Sequence, residues 1–490
     1  MFRRLKRDEL LKNYFDYKKD REIFERACRK CYFPSNTTLL QLIDESKKEK
    51  KQVKVAFSLS GVFLEQCERF KPDLLESFKQ LAETRCVEFL DQTYYHSLVG
   101  LYPIRDEFIE QVKMHRQIMR DLLNVEPTFF ENTELLYNNV IAETVEELGY
   151  LGILTEGVER VLNGRSPNYV YRAKNAKNLK VLLRNFKLTD DIGFRFSQRT
   201  WNEWPLTADK YANWLATTPG HCIVIFPDYE TFGEHHWPET GIHDFLKHMP
   251  KEILKQEHLS MATPSEVVQK NKVVGEVDVP EIGGTVSWAD IARDTSCWLG
   301  NAMQWAYYLA TRELEPFVKE SGDATFLKIW RYLLISDHLY YMSTAGGASG
   351  EVHSYFSPYS STQDATIAMQ SAMFDFESRV KLYVIAANEP FRFSTAVGEK
   401  NFTEVTVWSL KGFSEAVKTI HIQSIEFHNQ KGDFEMWASL SLRDTILAGR
   451  FKAIRLTKIS GRKLRNKIRQ VARKRFQELN EGVRASTQWF

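Results

Sequence analysis

Between residues 50 and about 256, short apolar segments alternate with longer segments in which apolar residues recur every three or four positions. The first pattern is typical of strands and the second of helices. The predicted strands are VKVAFSLS, CVEFLDQTYY, EPTFFENTE, YLGILTEG, LKVLLRN, GFRFS and HCIVIFPD. Strands that alternate with helices predict a parallel sheet covered by helices, and about seven strands favour a closed or nearly closed barrel.

The pattern changes after residue 256. Residues 257–290 form a polar stretch with Pro and Gly, which fits a linker or an active-site loop equally well. Residues 288–388 have helical periodicity and predict a bundle. The last hundred residues combine the strand-like segments TEVTVW and KTIHIQSIEF with a basic helix. We therefore predict a (β/α) barrel over 1–256, a connector and helical bundle over 257–390, and a small C-terminal α+β module over 391–490.

Composition excludes a disordered chain, because 43% of the residues are hydrophobic and 13% are aromatic. Six scattered cysteines do not suggest a disulfide framework and favour a reducing compartment. The pair Cys28 and Cys31 has no second pair at zinc-site spacing, so we interpret it as helix packing. The N-terminal MFRRLKRDELLKNYF is charged where a signal peptide is apolar, and no apolar run approaches the roughly 20 residues of a membrane span. These features predict a cytoplasmic protein without a membrane partner.

Charge is distributed unevenly along the chain. The net charge is +2, yet residues 450–475 contain twelve Lys and Arg and no Asp or Glu. This segment predicts either a solvated basic helix on an acidic body or contact with a polyanion. Since the sequence has no nucleic-acid-reading motif, a nucleic-acid partner is not expected.

Two acidic residues lie at the ends of predicted strands, Glu134 at the end of EPTFFENTE and Asp228 at the end of HCIVIFPD. In parallel barrels the chemistry lies at the carboxyl ends of the strands, so these two side chains could converge. Glycoside hydrolysis needs such a pair, one carboxyl group to protonate the leaving oxygen and one to attack the anomeric carbon. The alternative is that they only cap helices.

The sequence resembles glycoside hydrolase family 57, in particular its α-amylase-like branch. The resemblance rests on four stretches in order, SLSGVFLEQ, FFENTELLYNN, FPDYETFGEHHW and SDHLYYM, and extends from residue 1 to about 385. It implies an incomplete (β/α)7 TIM-like barrel followed by an α-helical bundle that completes the active site. It also implies an α-glucan or maltooligosaccharide substrate and no cofactor.

The resemblance assigns roles to individual residues. Glu134 matches the catalytic nucleophile, and Asp228 matches the general acid/base, for which burial and the nearby Glu134 charge should raise the pKa. The expected substrate-binding residues are Glu65, Trp201, Glu230, His235, Trp237, Trp288, Asp337 and His338. For the tryptophans, core packing is the alternative to stacking on sugar rings; for Glu230 and His235 it is a structural polar pair.

The sequence alone leaves other functions open. A metal site is one alternative, because the related polysaccharide deacetylases use Asp and His, although His235 and His236 are adjacent and point in different directions. A catalytically impaired glucan-binding protein of the same fold is another. The favoured interpretation is a retaining glycoside hydrolase or glucanotransferase acting on α-1,4-glucans through a covalent glycosyl-enzyme intermediate. Hydrolysis and transfer are not distinguished, since the choice depends on the acceptor subsites.

The start of the chain departs from the family pattern. The first family strand ends in a His-Gln-Pro motif, and an aromatic residue and an arginine come directly after that motif. Phe2 and Arg3 match this aromatic residue and this arginine, whereas the sequence contains no His-Gln-Pro before them. The first strand of the barrel is therefore expected to be missing from this sequence, through a misplaced start, a real loss, or replacement by another segment. In that case VKVAFSLS should lie at an open sheet edge.

Overall fold

The computed structural model describes residues 5–345, 357–394 and 405–486; Phe2 and Arg3 lie outside these residues. The chain forms two compact units. The first contains Tyr17–Gln304 and Leu334–Pro358, and the second contains Met1–Asp16, Trp305–Leu333 and Tyr359–Phe490. This division differs from the predicted three parts, because the connector groups with the strand-rich region and the predicted bundle is divided.

The first unit contains seven strands among its described residues. They are β1 (Val55–Ser58), β2 (Val87–Leu90), β3 (Phe129–Glu131), β4 (Gly152–Glu156), β5 (Tyr171–Ala173), β6 (Lys180–Arg184) and β7 (Glu276–Val277). β1 pairs with β2 in parallel, and a second sheet has the order β3-β4-β6-β5-β7, in which only the β5–β6 pairing is antiparallel. A parallel bridge from Asp91 to Phe130 joins β2 to β3. The result is a parallel succession β1-β2-β3-β4-β6, in which β1 has one neighbouring strand within the described ranges.

The carboxyl ends of these parallel strands carry polar residues. β1 ends at Ser58, β3 at Glu131, β4 at Glu156 and β6 at Arg184. All five residues of β4 are buried, as expected of a parallel strand covered on both faces. Since the ends of parallel strands meet at one edge, these four side chains are brought toward one side of the unit.

Helices cover the strands of the first unit. Their longest members are Tyr17–Ala27, Phe33–Ser46, Gly61–Phe70, Pro72–Glu83, Asp106–Leu123, Asn139–Glu147, Phe186–Gly193, Ala208–Thr217 and Ile242–Lys255. Shorter helices are Glu159–Leu162, Pro264–Lys270, Glu281–Gly284, Ser296–Leu299 and Ser336–Tyr340. Helix starts follow local polar residues: Ser60, Asn138 and Asn185 each accept a hydrogen bond from a backbone N–H of the first turn. The apolar faces of the helices pack into a core that includes Phe57, Phe78 and Phe89.

The second unit is mainly helical. It contains Leu10–Tyr14, most of Ala302–Ser321, Ala324–Leu333, Thr362–Val384, Leu410–Ala416, Ile422–Lys431, Asp433–Leu440, Thr445–Leu456 and Gly461–Ser486. Two antiparallel strands, β8 (Ala386–Phe393) and β9 (Val405–Ser409), lie among them. Its core is aromatic and includes Phe391, Phe413 and Phe434.

The grouping of the second unit has a physical cause in partly buried polar contacts and in aromatic packing. Glu320 accepts hydrogen bonds from the backbone N–H of Trp408 at 2.7 Å and from the Ser409 hydroxyl at 2.5 Å. The ring of Phe326 packs edge-on against Tyr383. These contacts tie the helices around 305–333 and 362–384 to the C-terminal region rather than to a separate bundle.

Several predicted strands are confirmed but shorter, and some local predictions are wrong. GFRFS is not a strand: residue 193 ends a helix, and Phe196 is buried in a turn. KTIHIQSIEF folds largely as the helix Ile422–Lys431, because Ile425 and His428 form one buried stripe that overrides the β-propensity of the isoleucines. The long helix predicted from residue 288 begins only at Ala302.

HCIVIFPD contributes one bridge, from Val224 to Arg184, rather than a full strand. The predicted basic helix is two helices, Thr445–Leu456 and Gly461–Ser486, separated by a turn in which Lys458 has a positive φ of 53°. Within the described residues, no helix is both long and apolar enough to cross a membrane.

Candidate active site

Glu134 lies in a tight turn just after β3. It has φ 61° and ψ 22°, and the next residue, Leu135, has φ 52°. Left-handed backbone is uncommon for residues other than glycine, and such strain concentrates at functional sites. The Ser287 hydroxyl donates to the Glu134 carbonyl at 2.8 Å, and the Trp288 N–H also approaches it at 3.3 Å. The loop at 287–288 thus holds the turn in place.

Both carboxylate oxygens of Glu134 accept hydrogen bonds. The indole Nε1 of Trp288 donates to Oε2 at 2.8 Å, and the Ser336 hydroxyl donates to Oε1 at 2.8 Å. His96 Nδ1 lies 3.8 Å from Oε1 and 3.0 Å from Ser336 Oγ. Burial raises the pKa of Glu134, while His96 and the two donors oppose that rise. The group is therefore oriented at both oxygens, and 12% of its side chain stays exposed.

Asp228 follows Pro227 in the segment beside β6. The residue is exposed to solvent by surface area, although protein groups crowd the carboxyl group and reduce its hydration. This desolvation, followed by the negative charge of Glu230, raises the pKa of Asp228 to about 7, while Arg184 and His96 oppose the rise. A carboxyl group with this pKa can donate a proton near neutral pH and take one back.

His96 interacts electrostatically with Glu134, Asp228 and a third carboxylate, Asp337. Burial lowers the pKa of His96, but the charges of Glu134, Asp337, Glu131 and Asp228 outweigh it and raise the pKa above its usual value. The structure thus brings Glu134, Asp228 and Asp337 around one histidine. Sequence reasoning missed His96, whose only signal is its position shortly after β2.

The pKa of Tyr340 also depends on these three carboxylates. Burial raises the pKa of its phenol first, and the charges of Glu134, Asp228 and Asp337 raise it further. Asp337, Tyr340 and Ser336 belong to one short helix, Ser336–Tyr340. That helix is fixed by the Ser336 N–H, which donates to the His96 carbonyl at 2.9 Å.

Glu131, the last residue of β3, is a further carboxyl group that sequence reasoning missed. It is buried, and the Ser58 hydroxyl donates to its Oε2 at 2.8 Å. The Leu135 N–H approaches its Oε1 at 3.4 Å. Burial raises the pKa of Glu131 to about 7. The alternation of side chains along the strand FFE was the available signal, because it directs Glu131 to the same side as Phe129.

Four charged groups form a network behind Trp288. Arg184 donates to Glu156 at 2.7 Å and to Asp190 at 2.8 Å, and Arg293 contacts the same two carboxylates at 3.4 and 3.1 Å. Arg293 also donates to the Trp288 carbonyl at 3.2 Å, and Arg184 Nε donates to the Phe226 carbonyl at 2.8 Å. The network therefore fixes both the loop that orients Glu134 and the segment that carries Asp228.

The segment FPDYETFGEHHW is supported by a π-helical turn, Cys28–Tyr32. The Tyr32 hydroxyl donates to Glu230, and the Cys31 thiol approaches the Tyr229 carbonyl at 3.1 Å. Gly233, with φ 136°, lies so close to the Lys30 carbonyl that a Cβ would clash at 1.9 Å. Glu230 is thus held beside Asp228 by a buried phenol.

The two histidines of the segment have different surroundings. His236 is buried, with Nδ1 2.7 Å from the Ser197 hydroxyl and Nε2 2.9 Å from the Ile192 carbonyl, so both nitrogens are used in packing. Burial lowers the pKa of His235, opposed by the charges of Glu230 and Glu234. Trp237 is 50% exposed, with the Lys30 ammonium 4.0 Å from its ring centre.

The structure gives other contacts or positions for the remaining predicted residues. Glu65 accepts a hydrogen bond from the Tyr94 hydroxyl at 2.7 Å. Trp201 packs edge-on against Trp214, with ring centres 6.1 Å apart. His338 is half-buried on the helix Ser336–Tyr340. Substrate contact by Glu65, Trp201, Trp237 and His338 stays a prediction.

In the part of the chain that the structure describes, no group of three or more His, Cys, Asp or Glu side chains is arranged to hold a metal ion. Cys28 and Cys31 are buried, and burial raises the pKa of both thiols, that of Cys28 to about 12. A buried thiol with a raised pKa is unreactive, which agrees with the packing interpretation.

Similarity to known proteins extends over most of the chain. The family model Glycosyl hydrolase family 57 matches residues 2–280. A Methanocaldococcus jannaschii protein described as "Putative alpha-amylase" is 45% identical over 380 residues, which is 76% of this chain and 80% of that protein.

Two solved structures share the fold. The GH57 branching enzyme from Thermococcus kodakaraensis matches with a TM-score of 0.56 at 14% identity, over 74% of this chain and 86% of that one. The GH57-type branching enzyme from Pyrococcus horikoshii matches with a TM-score of 0.55 at 15% identity, over 75% and 86%. The family model matches more than half of the chain, and one relative is 45% identical to it. The protein therefore belongs to glycosyl hydrolase family 57.

Proposed function

We propose that this glycosidase-family protein acts on α-1,4-glucans with retention of configuration, using Glu134 as nucleophile and Asp228 as general acid/base. The observation that supports the proposal is the arrangement of Glu134 and Asp228. Glu134 is hydrogen-bonded at both oxygens, and the pKa of Asp228 is about 7. The charges of both carboxylates raise the pKa of the same histidine, His96.

In the first step, the Glu134 carboxylate attacks the anomeric carbon while Asp228 transfers its proton to the glycosidic oxygen of the leaving sugar. A covalent glycosyl-enzyme forms, and Asp228 is left ionised. In the second step, Asp228 removes a proton from water or from a sugar hydroxyl, which attacks the same carbon. Two inversions give net retention. Water as acceptor gives hydrolysis, and a sugar gives chain transfer.

The substrate assignment rests on relatives and on the site. The Methanocaldococcus jannaschii relative is described as "Putative alpha-amylase", and two solved structures of the same fold are branching enzymes. Trp288 and Phe226 present rings beside the carboxylates, with centres 6.1 Å apart, which suits stacking on a sugar. We infer that the parallel succession β1-β2-β3-β4-β6 is part of an incomplete barrel, as the family resemblance implies.

The test uses maltoheptaose and three variants. Glu134→Gln should reduce kcat by at least about 1,000-fold without changing the melting temperature markedly, because a nucleophile acts on the transition state. Glu134→Gly with azide should regain turnover and give a glycosyl azide of inverted configuration. Glu147→Gln, an exposed carboxylate on a neighbouring helix, is the matched control and should retain activity.

Two outcomes would contradict the proposal. Full activity in Glu134→Gln would remove its role as nucleophile. No release or redistribution of sugar chains by the unaltered protein, under conditions in which it is folded, would favour the catalytically impaired alternative. The ratio of reducing sugar to redistributed chains then separates hydrolysis from transfer.

A further inference from the structure

A surface pocket of about 500 Å³ lies in the second unit, at the start of the helix Gly461–Ser486. Four of its lining side chains are cationic: Lys418, Arg462, Arg465 and Arg469. A concave site lined by one sign of charge concentrates counter-ions of the opposite sign. The pocket therefore differs from the solvated face of an ordinary basic helix.

Two of these cations already have partners. Arg465 donates to the carbonyls of Lys418 at 2.5 Å and Ile420 at 2.6 Å, which fixes its guanidinium as part of the wall. Lys418 forms an ion pair with Glu415. At the rim, Glu426 accepts the Gly461 N–H at 2.7 Å, so one carboxylate is close to the start of the helix.

The other two cations have no acceptor. Neither the side chain of Arg462 nor that of Arg469 makes a hydrogen bond or ion pair with the described residues, and the Nε of Arg469 is buried without an acceptor there. A buried donor without a partner is unfavourable, and a bound anion would satisfy it. Their spacing of seven residues puts them on one helix face, about 10.5 Å apart along the axis.

We propose that this pocket binds a compact oligophosphate, through bidentate contacts from Arg462 and Arg469 and an amide contact from Asn466. Guanidinium groups match phosphate oxygens in pairs, and the separation of the two arginines suits an anion with more than one phosphate group. The lining contains one apolar side chain, Ile422, and no aromatic residue. Stacking of nucleobases therefore has no platform, which disfavours single-stranded nucleic acid. The ligand would be a free oligophosphate or the phosphate tail of a nucleotide.

The experiment measures binding by calorimetry on the full chain, with tripolyphosphate at about 150 mM salt to screen diffuse charge. Arg462→Gln/Arg469→Gln should weaken binding by at least about tenfold, because the loss of even one of the two charge-assisted contacts is worth about that factor. Lys463→Gln/Lys467→Gln removes the same charge from exposed positions of the same helix outside the pocket lining, and should change binding less than about threefold.

Three further ligands, ATP, AMP and polyuridylate, test which part of the anion is recognised. Equal binding of ATP and tripolyphosphate, with much weaker AMP, supports recognition of the phosphate chain in either source. Much tighter ATP binding would overturn the oligophosphate class, because it requires contacts to the base. Binding of polyuridylate but not tripolyphosphate would overturn it in favour of nucleic acid. Equal weakening in both double variants, or no binding of tripolyphosphate, would also reject the site. Arg462→Gln alone, at an exposed position, serves if the double variant does not fold.

Discussion

The indole nitrogen of Trp288 donates a hydrogen bond of 2.8 Å to Oε2 of Glu134, although the two residues are 154 positions apart in sequence. The same loop also binds the Glu134 backbone carbonyl through Ser287. The sequence predicts Trp288 as a sugar platform, and the structure adds a second role, the orientation of the proposed nucleophile. Its hydrogen bond also favours the ionised form of Glu134 and opposes the rise in the pKa of that group.

Replacing Trp288 with Phe should therefore change catalysis more than stability. We expect kcat/KM to fall about 10- to 100-fold, because the carboxylate loses an orienting donor. The pKa of Glu134 should rise further, so the acidic limb of the kcat/KM profile should move to higher pH. Trp214→Phe, which alters ring packing against Trp201 and Tyr211 without a contact to Glu134 among the described residues, is the control. An unchanged acidic limb in Trp288→Phe would show that the hydrogen bond has no catalytic effect.

Glu230 should set the basic limb of the same profile. Its charge raises the pKa of Asp228, second only to burial. Activity requires protonated Asp228, so it should fall as the pH rises through about 7. Glu230→Gln removes one raising charge and should move this limb about half a unit to one unit lower.

A different pH profile would indicate a different role for Glu230. If this carboxylate only binds sugar hydroxyls, Glu230→Gln should raise KM and leave the basic limb in place. Tyr32→Phe removes the phenol that holds Glu230. We expect it to have a weaker effect of the same kind, because the charge remains while its position loosens.

Glu131 should make stability depend on pH. Its pKa is raised from 4.5 to about 7 by burial in the folded state. Below the unfolded pKa both states are protonated and there is no penalty. As pH rises from about 4 to about 7 the unfolded chain ionises first, so stability is lost over this window. Glu131→Gln should therefore stabilise the protein by about 1–3 kcal/mol at pH 8 and much less at pH 4.5.

Thermal unfolding at the two pH values measures this effect. Glu147→Gln removes a carboxylate at an exposed position and should give the same small change in stability at both pH values. If the difference in unfolding free energy between Glu131→Gln and the unaltered protein is the same at pH 4.5 and pH 8, burying this carboxylate does not have the expected cost.

Arg184→Met should be strongly destabilising. Its guanidinium is buried between Glu156 and Asp190, and its removal leaves both carboxylates with Arg293 alone. Loss of one member of a buried ion network is worth about 3–5 kcal/mol, seen as a lower denaturant midpoint. Arg195→Met, on a half-exposed pair with Asp191, should change stability by about 1 kcal/mol or less. Similar losses in both variants would indicate that the network contributes nothing beyond surface charge.

The sequence by itself predicted the order of the strands β1, β2, β3, β4 and β6 and named two candidate carboxylates, but it missed the short strand β5 (Tyr171–Ala173). Those conclusions depend on local properties: apolar periodicity and the motifs around Glu134 and Asp228. Local signals misled where packing competes with propensity, as in the helix Ile422–Lys431, where burial of Ile425 and His428 outweighs the β-branched residues.

Only the tertiary structure decided which residues surround Glu134. His96, Trp288 and Ser336 come from three segments far apart in sequence, and no periodicity relates them. The strained turn at Glu134 and the raised pKa values of Asp228 and Glu131 arise from burial in a shared environment, which is a property of the folded chain. The physical reason is that charge, desolvation and hydrogen bonding act through space, whereas the sequence records only neighbours along the chain.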